Sequence, residues 1–406
     1  MIRPLVTTGG AIWLITTAMA FAGAGRVEIN QKQMTTLPYQ ITQPGRYVLT
    51  SSLNVTHLNE NAIWVSASDV EIDLNGFTIT GPGAGGTLSG IFQSAAHRNL
   101  VVYNGNLANW SGGSVWSINA SGADNAFRDI SVSGGARGIF SGNHSRIEAC
   151  LIYSNRANGV GYGIQAGSGS RILRCNVLGS SSTNNIMYGI YAGANSEVRD
   201  CVVLRPSAAT TVYGIYGEAN VRVTGCVVRD SVSGQMAYGI FVSDGGSVTE
   251  SVSGVNAGSS GSVGIGAGSR SHIQDVFSYM NRSGIVVNAH STVKSTYSFG
   301  NTDVGFHFVN DNRIAGNFAR SNTNNGFFAS GMRNHVLDND ALLNGRGFYS
   351  GENRSNLFVR NAALLNTVVG NYLLLGGNSW GGITNNPRAN FTTEEAWINF
   401  SISHTP

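Results

Sequence analysis

The chain has 406 residues, enough for two or three ordinary domains or for one long repeat array. Glycine supplies 54 of them and charged residues only 12 %, which speaks against a helix-rich fold, since helices draw on Ala, Leu, Glu and Lys. The net charge of +3 rests on dispersed arginines, with Lys32 and Lys294 the only lysines, and a charge so weak and scattered argues against a nucleic-acid partner.

In chain order, residues 1–24 carry Arg3, an apolar run and small residues at Ala20, Ala22 and Ala24. This is the pattern of a secretory signal peptide. The mature chain is expected to be exported to the periplasm, cell surface or medium, and no later stretch is apolar enough to span a bilayer. Residues 25–60 are expected to cap and open a repeat array, 61–370 to form it, and 371–406 to cap its far end with Trp380, Phe391, Trp397 and Phe400. Caps are needed because a bare strand edge pairs with other chains.

The repeats declare themselves in "YGIYAGANSEVRDC", from Tyr188, and its near-copy "YGIYGEANVRVTGC", from Tyr213. With Cys201 as position zero, the same place is filled by Cys150, Cys175 and Cys226, at steps of 25, 26 and 25. The frame extends back to Phe77 and forward to Asn317, Asn339 and Asn361, thirteen coils in all. Three residues earlier stands an apolar residue every time, among them Val198, Val223, Ile273 and Val336. A "GI" or "GF" pair precedes that position in most coils, as at Gly189, Gly214 and Gly305. Short β-rich segments bounded by glycine, at a period of 20 to 26 residues without helical periodicity, point to an all-β, single-stranded parallel β-helix, to which the family resemblance below adds a right hand. Thirteen coils at ~4.8 Å each would make a rod of roughly 60 Å.

Each coil presents the same side chain to its neighbours, so recurring residues stack. Two outward residues between the apolar position and position zero imply a bend there, since strict alternation allows one. Asparagine recurs five residues after position zero, at Asn155, Asn256, Asn281, Asn301, Asn322, Asn344 and Asn366. It is expected to take the left-handed conformation of a corner and to bond along its row. The four cysteines read as a buried row of unpaired thiols, because in-register neighbours sit farther apart than a disulfide requires.

The repeats "VRDCVV", "VTGCVV" and "LDNDALLN", the opening "ITQPGRYVLTSSLNV" with "VEIDLNGFTITG", and the closing "NNPRANF" resemble the right-handed parallel β-helix repeat proteins of the pectin-lyase-like superfamily. The resemblance covers roughly residues 40 to 400 and implies a protein that binds or processes polysaccharide or cell-surface glycan. If the chain is an enzyme, the resemblance implies a polysaccharide lyase or a glycoside hydrolase. The superfamily's lyases use acidic calcium ligands with an arginine base and its hydrolases a compact set of aspartates, and no segment here matches either set residue for residue. A non-catalytic structural or adhesive rod is the alternative.

Two rows are the candidate sites. Outward aromatics two residues after the repeat glycine, above all Tyr191, Tyr216 and Phe241, are expected to face solvent, where they would stack on a glycan or on one another. One residue before position zero, successive coils place Arg174, Asp200, Gly225, Glu250 and Asp275. Arg174 is expected to pair with Asp200 and to contact substrate. Asp200, Glu250 and Asp275 are candidate catalytic carboxylates beside a notch at Gly225. Glu250 and Asp275, one strand spacing apart, are also a candidate calcium site, the one cofactor the sequence suggests. The longer turns around 156–162, 180–187, 205–212, 230–237 and 255–262 are expected to form a wall along one flank.

Overall fold

The computed structural model describes residues 25–34, 36–367, 370–384 and 398–402. The signal-peptide reading of residues 1–24, and Phe391 and Trp397, lie outside them. Among the described residues the chain is all β, with one 3-10 turn at Gln31–Gln33 and every strand pairing parallel. It winds into a right-handed parallel β-helix. Each coil contributes a first strand such as Met187–Ala192, a second such as Glu197–Arg199 and a third such as Val202–Leu204. The first strands form a sheet of fifteen, from Tyr39–Ile41 to Gly370–Leu374. Fifteen strands wind through about fourteen turns, close to the thirteen coils of the sequence frame. The stacked second and third strands form one sheet of thirty, because Leu100–Ala108 and Ala126–Ser133 run unbroken through the bend between them.

The bend expected before position zero is present, and its cause is a single left-handed residue. From Asn104 through Asp129, Ala149, Arg174, Asp200, Gly225, Glu250 and Asp275 to Arg360, this position has φ between 50° and 65°. Asp, Asn and Gly tolerate that region best. A second left-handed row, with Ser154, Asp230, Val255, Met280 and Ser321, turns the third strand toward the next coil. A third row, with His144, Asn195, Asn220, His290 and Asp311, separates the first strand from the second. Each coil is therefore a triangle with a left-handed residue at every corner. The recurring asparagine is not that residue, as the sequence had suggested; it follows it and points inward.

Inward side chains form continuous stacks. Ile190, Ile215, Ile240 and Ile265 lie above one another, and Phe306, Phe327 and Phe348 continue the row with ring centroids 4.7 and 4.8 Å apart. All are 0–1 % exposed. The repeat glycine is required by close approach: a Cβ on Gly305 would stand 2.6 Å from the Gly326 carbonyl and 2.7 Å from Asn322 Nδ2.

The chain ends lengthen the stack. Val27–Ile29 pairs with Tyr47–Leu49, and Asn399–Ile402 lies on Ala362–Leu364, so that Asn399 extends the Asn317–Asn339–Asn361 row. Phe400 is half-buried there, whereas Trp380 is exposed.

Candidate functional site

Outward positions on the first-strand sheet are where aromatic residues gather. In register from coil to coil stand Trp64, Phe92, Asn119, Phe140, Gln165, Tyr191, Tyr216 and Phe241. A second row beside it runs Trp116, Arg137, Tyr162, Tyr188, Tyr213 and Tyr238. Rings one strand spacing apart meet face to face. Tyr188, Tyr213 and Tyr238 stack at 5.2 and 4.9 Å with planes 7° apart, and Tyr191, Tyr216 and Phe241 at 5.2 and 5.8 Å with planes 22° and 10° apart. Between the rows the contacts are edge-on, as for Tyr213 and Tyr216 at 5.2 Å and 75°.

Apart from exposed Trp64 and buried Trp116, both rows are half-buried. Tyr191, Tyr216 and Phe241 therefore present edges outward while neighbouring rings cover their faces. Their polar atoms are engaged as well: Tyr191 donates its hydroxyl to Glu218, whose other oxygen accepts the Ala194 N–H at 3.0 Å, and Tyr216 Oη lies 3.4 Å from Ser243 Oγ. Burial pushes the Tyr188 and Tyr213 phenols up to about 12. Tyr191 is raised further, by burial first and by its Glu218 bond second.

The longer turns do form a flank. Arg156–Ala157, Ser181–Ser182, Ser207–Ala208, Val232–Ser233 and Ala257–Gly258 pair as a five-stranded ribbon just before the first strands. At the amino-terminal end of the aromatic face, Trp64, Phe92 and Trp116 floor a hollow of about 730 Å³. Its sides are segments 85–89 and 112–115.

The acidic row lies elsewhere, at the left-handed bend between second and third strands. Asp200, Glu250 and Asp275 are all exposed there. Asp200 contacts Arg199 at 3.7 Å, and Asp275 accepts a hydrogen bond from Gln274 at 2.8 Å. Arg174 turns away from Asp200 and binds Glu148, which also takes Arg146 at 2.6 Å. Those arginines, Arg146 first, hold the Glu148 carboxyl below its ordinary range. The Gly225 notch is occupied by Asp200 itself, whose Oδ1 would lie 2.5 Å from a Cβ on that glycine. The structure thus keeps the aromatic residues and the carboxylates on different faces.

The cysteines are free and sealed at 0–1 % exposure. Cys201 Sγ accepts the Cys175 N–H at 3.4 Å and donates to the Arg199 carbonyl at 3.3 Å. Hydrogen bonding with Cys175, and then burial, keeps the Cys150 and Cys201 thiols well above their ordinary range. Sequence reading missed one row: Ser145, Ser170 and Ser196, and later Ser271, Ser291, Asn312, Asn334 and Asn356, a ladder just inside the third corner. Its mixture of residue types hides its period.

The molecule is a parallel β-helix repeat protein. Residues 195–394, or 200 of 406, match the family model described as "Periplasmic copper-binding protein (NosD)". No curated protein matches the chain in sequence. Among solved structures the chain is similar to the Dettilon tailspike protein, at 12 % identity over 82 % of this chain and 62 % of that one, with a TM-score of 0.36. It is similar to the A-module of the Azotobacter vinelandii mannuronan C-5 epimerase AlgE6, at 12 % identity over 89 % and 91 %, TM-score 0.33. A third is the catalytic unit of a Streptomyces thermodiastaticus GH87 α-1,3-glucanase, at 10 % identity over 93 % and 62 %, TM-score 0.35.

Copper, named in the family description, does not fit the residues described. They contain no group of three His, Cys, Asp or Glu side chains able to hold a metal ion. The one thiol row is closed to solvent and hydrogen-bonded to backbone, whereas copper binding through sulfur needs accessible thiolates. No helix among the described residues is long and apolar enough to cross a membrane.

Proposed function

We propose that this protein is an exported, periplasmic or cell-surface β-helix that binds polysaccharide lengthwise along the outer face of its first-strand sheet. The observation that carries the reading is the concentration of aromatic residues there, from Trp64 to Phe241, beside the ribbon of longer turns. Seven coil steps at ~4.8 Å give this track roughly 34 Å. Ring edges, the Glu218 carboxylate and the Ser243 hydroxyl offer both apolar contact and hydrogen bonding to a sugar chain. Retention of the protein on immobilised polysaccharide in affinity electrophoresis tests this. Tyr216→Ala opens the row between Tyr191 and Phe241 and should weaken retention by roughly three- to tenfold, with an unchanged far-UV spectrum. Unchanged retention leaves the row as a packing ladder alone.

A second reading places lyase or hydrolase chemistry at the bend, with Asp200, Glu250 and Asp275 as acids and calcium between the last two. It is favoured by the recurrence of carboxylates at one register in nearby coils. Calcium at fixed ionic strength would then raise the melting temperature, and Glu250→Gln with Asp275→Asn would abolish that rise. Calcium takes six to eight oxygens, and two exposed carboxylates supply few of them. A calcium-indifferent melting curve is therefore the expected result, and together with unaltered activity in the double variant it would remove this site and leave the binding reading in front.

A further inference from the structure

The hollow at the amino-terminal end of the track differs from the rest of the face in ring geometry. Along Tyr188, Tyr213 and Tyr238 each ring is covered by its neighbours. Trp64 and Phe92, by contrast, meet edge to face, with centroids 5.9 Å apart and planes at 78°. Trp64 remains 39 % exposed, so an indole surface stays free that stacked rings farther along do not offer. The sides of the hollow are closed by backbone. A Cβ on Gly112 would stand 1.5 Å from the Gly86 carbonyl oxygen, so the two flanking segments touch where only glycine fits. Asn61 fixes one side: its Oδ1 accepts the Ser89 N–H at 2.8 Å, which leaves Nδ2 as a donor. Asn119 supplies a second amide at the floor.

We infer that this hollow is a binding subsite for neutral sugar, with a pyranose ring laid on Trp64 and Phe92 and its hydroxyls bonded by Asn61 and Asn119. The inference rests on the polysaccharide-binding reading and narrows it to one class of ligand. No lining residue is charged. A uronate carboxylate entering it would shed water without meeting a cation, a desolvation that disfavours its binding. Sugar hydroxyls suffer no such loss, because Asn61 Nδ2 donates to them and the Asn119 amide both donates and accepts. The guanidinium of Arg137 sits 5.4 Å from the Trp116 ring centre, but its Nε donates to the Val160 carbonyl at 2.8 Å and it is not among the lining residues. An apolar lining with a few placed polar groups is the usual make-up of a small-molecule site.

Tryptophan emission of the intact protein reads the subsite directly. The probes are neutral hexasaccharides of the β-1,4-glucan, β-1,3-glucan, α-1,4-glucan and mannan series, with hexagalacturonate and hexamannuronate as acidic counterparts. At least one neutral saccharide should shift the emission saturably, with little dependence on salt. Trp64→Ala should weaken binding of that saccharide, followed by calorimetry, by about tenfold or more. Asn119→Ala, which leaves the rings in place, should weaken it as well. Tyr349→Ala, on the same sheet but well beyond the end of the aromatic track, should leave it unchanged. A response to acidic saccharides alone, a neutral response undiminished in Trp64→Ala, or no neutral response at all would overturn the inference. Retention that falls in Tyr216→Ala but not in Trp64→Ala would sink this subsite and leave the broader reading standing. The reverse pattern would confine binding to the hollow.

Discussion

Position zero shows what one residue does in this fold. The left-handed residue before it turns the chain so that the N–H of position zero points along the stack, where it needs an acceptor. Cys201 supplies Sγ to the Cys175 N–H at 3.4 Å, Ser251 supplies Oγ to Cys226 at 3.1 Å, and Asn317 supplies Oδ1 to Thr296 at 3.1 Å. Cysteine is thus a small apolar residue that still accepts a hydrogen bond, and its conversion to disulfide would remove that service. Denatured, unreduced protein should accordingly take up four alkyl groups by mass, one for each free cysteine. Two or none would show oxidised pairs. The acidic residues one place earlier have a conformational reason as well, since Asp200 and Asp275 hold φ of 54° and 52°, a region that Asp enters more readily than most residues.

At the level of the element, the asparagine ladders hold the carboxy-terminal coils. Asn339 Oδ1 accepts both the N–H and the Nδ2 of Asn317, at 2.9 and 3.0 Å, while its own Nδ2 donates to the Ile314 carbonyl and to Asn361 Oδ1. The residue is fully buried. Asn339→Ala should therefore cost about 3 kcal/mol or more, because it leaves two donors on Asn317 and one carbonyl without partners in a dry interior. Equilibrium denaturation measures the loss, and a change below about 1 kcal/mol would mean that water replaces the amide. The second-to-third bend adds a pH-sensitive ion pair. The Glu148 carboxyl is held low by Arg146 and Arg174, so its contribution is complete above the ordinary carboxylate range and disappears as pH falls through its depressed value. Glu148→Gln should lower the melting temperature at pH 7, and the gap from the parent protein should close on acidification toward pH 3, within the range the depression implies.

As a whole, the molecule is a stack about fourteen steps and roughly 65 Å long, in which each coil touches only the next. Stability in such an array is carried by interfaces between neighbours, and the coils at either end have one where central coils have two. Native-state hydrogen exchange should therefore be slowest around Val198–Val248 and faster toward Tyr39–Ile41 and Gly370–Leu374. Uniform protection from end to end would indicate a single cooperative unit. The same arrangement lets one face serve as a long binding surface, because any outward position repeated in sequence becomes a continuous row.

Period, apolar stack, the bend before position zero and the buried thiol row are all legible in the amino-acid order, because each depends on one residue type recurring at one spacing. The coil count came close, and the remainder was hidden because the pattern weakens where Gly45–Leu49 and Asn399–Ile402 join the ends of the stack. How the ring planes lie is set by packing between coils. Tyr191, Tyr216 and Phe241 are outward by alternation, but whether a ring shows its face or its edge depends on the ring one coil away, more than twenty residues distant in sequence. It also separated Arg174 from Asp200 and filled the Gly225 notch with the Asp200 carboxylate, since alternation fixes the side of a sheet and leaves the rotamer open. The Trp64–Phe92 hollow was beyond sequence reading for the same reason: segments of unequal length, around 81–90 and 109–116, must fold against each other before their glycines and rings enclose a space.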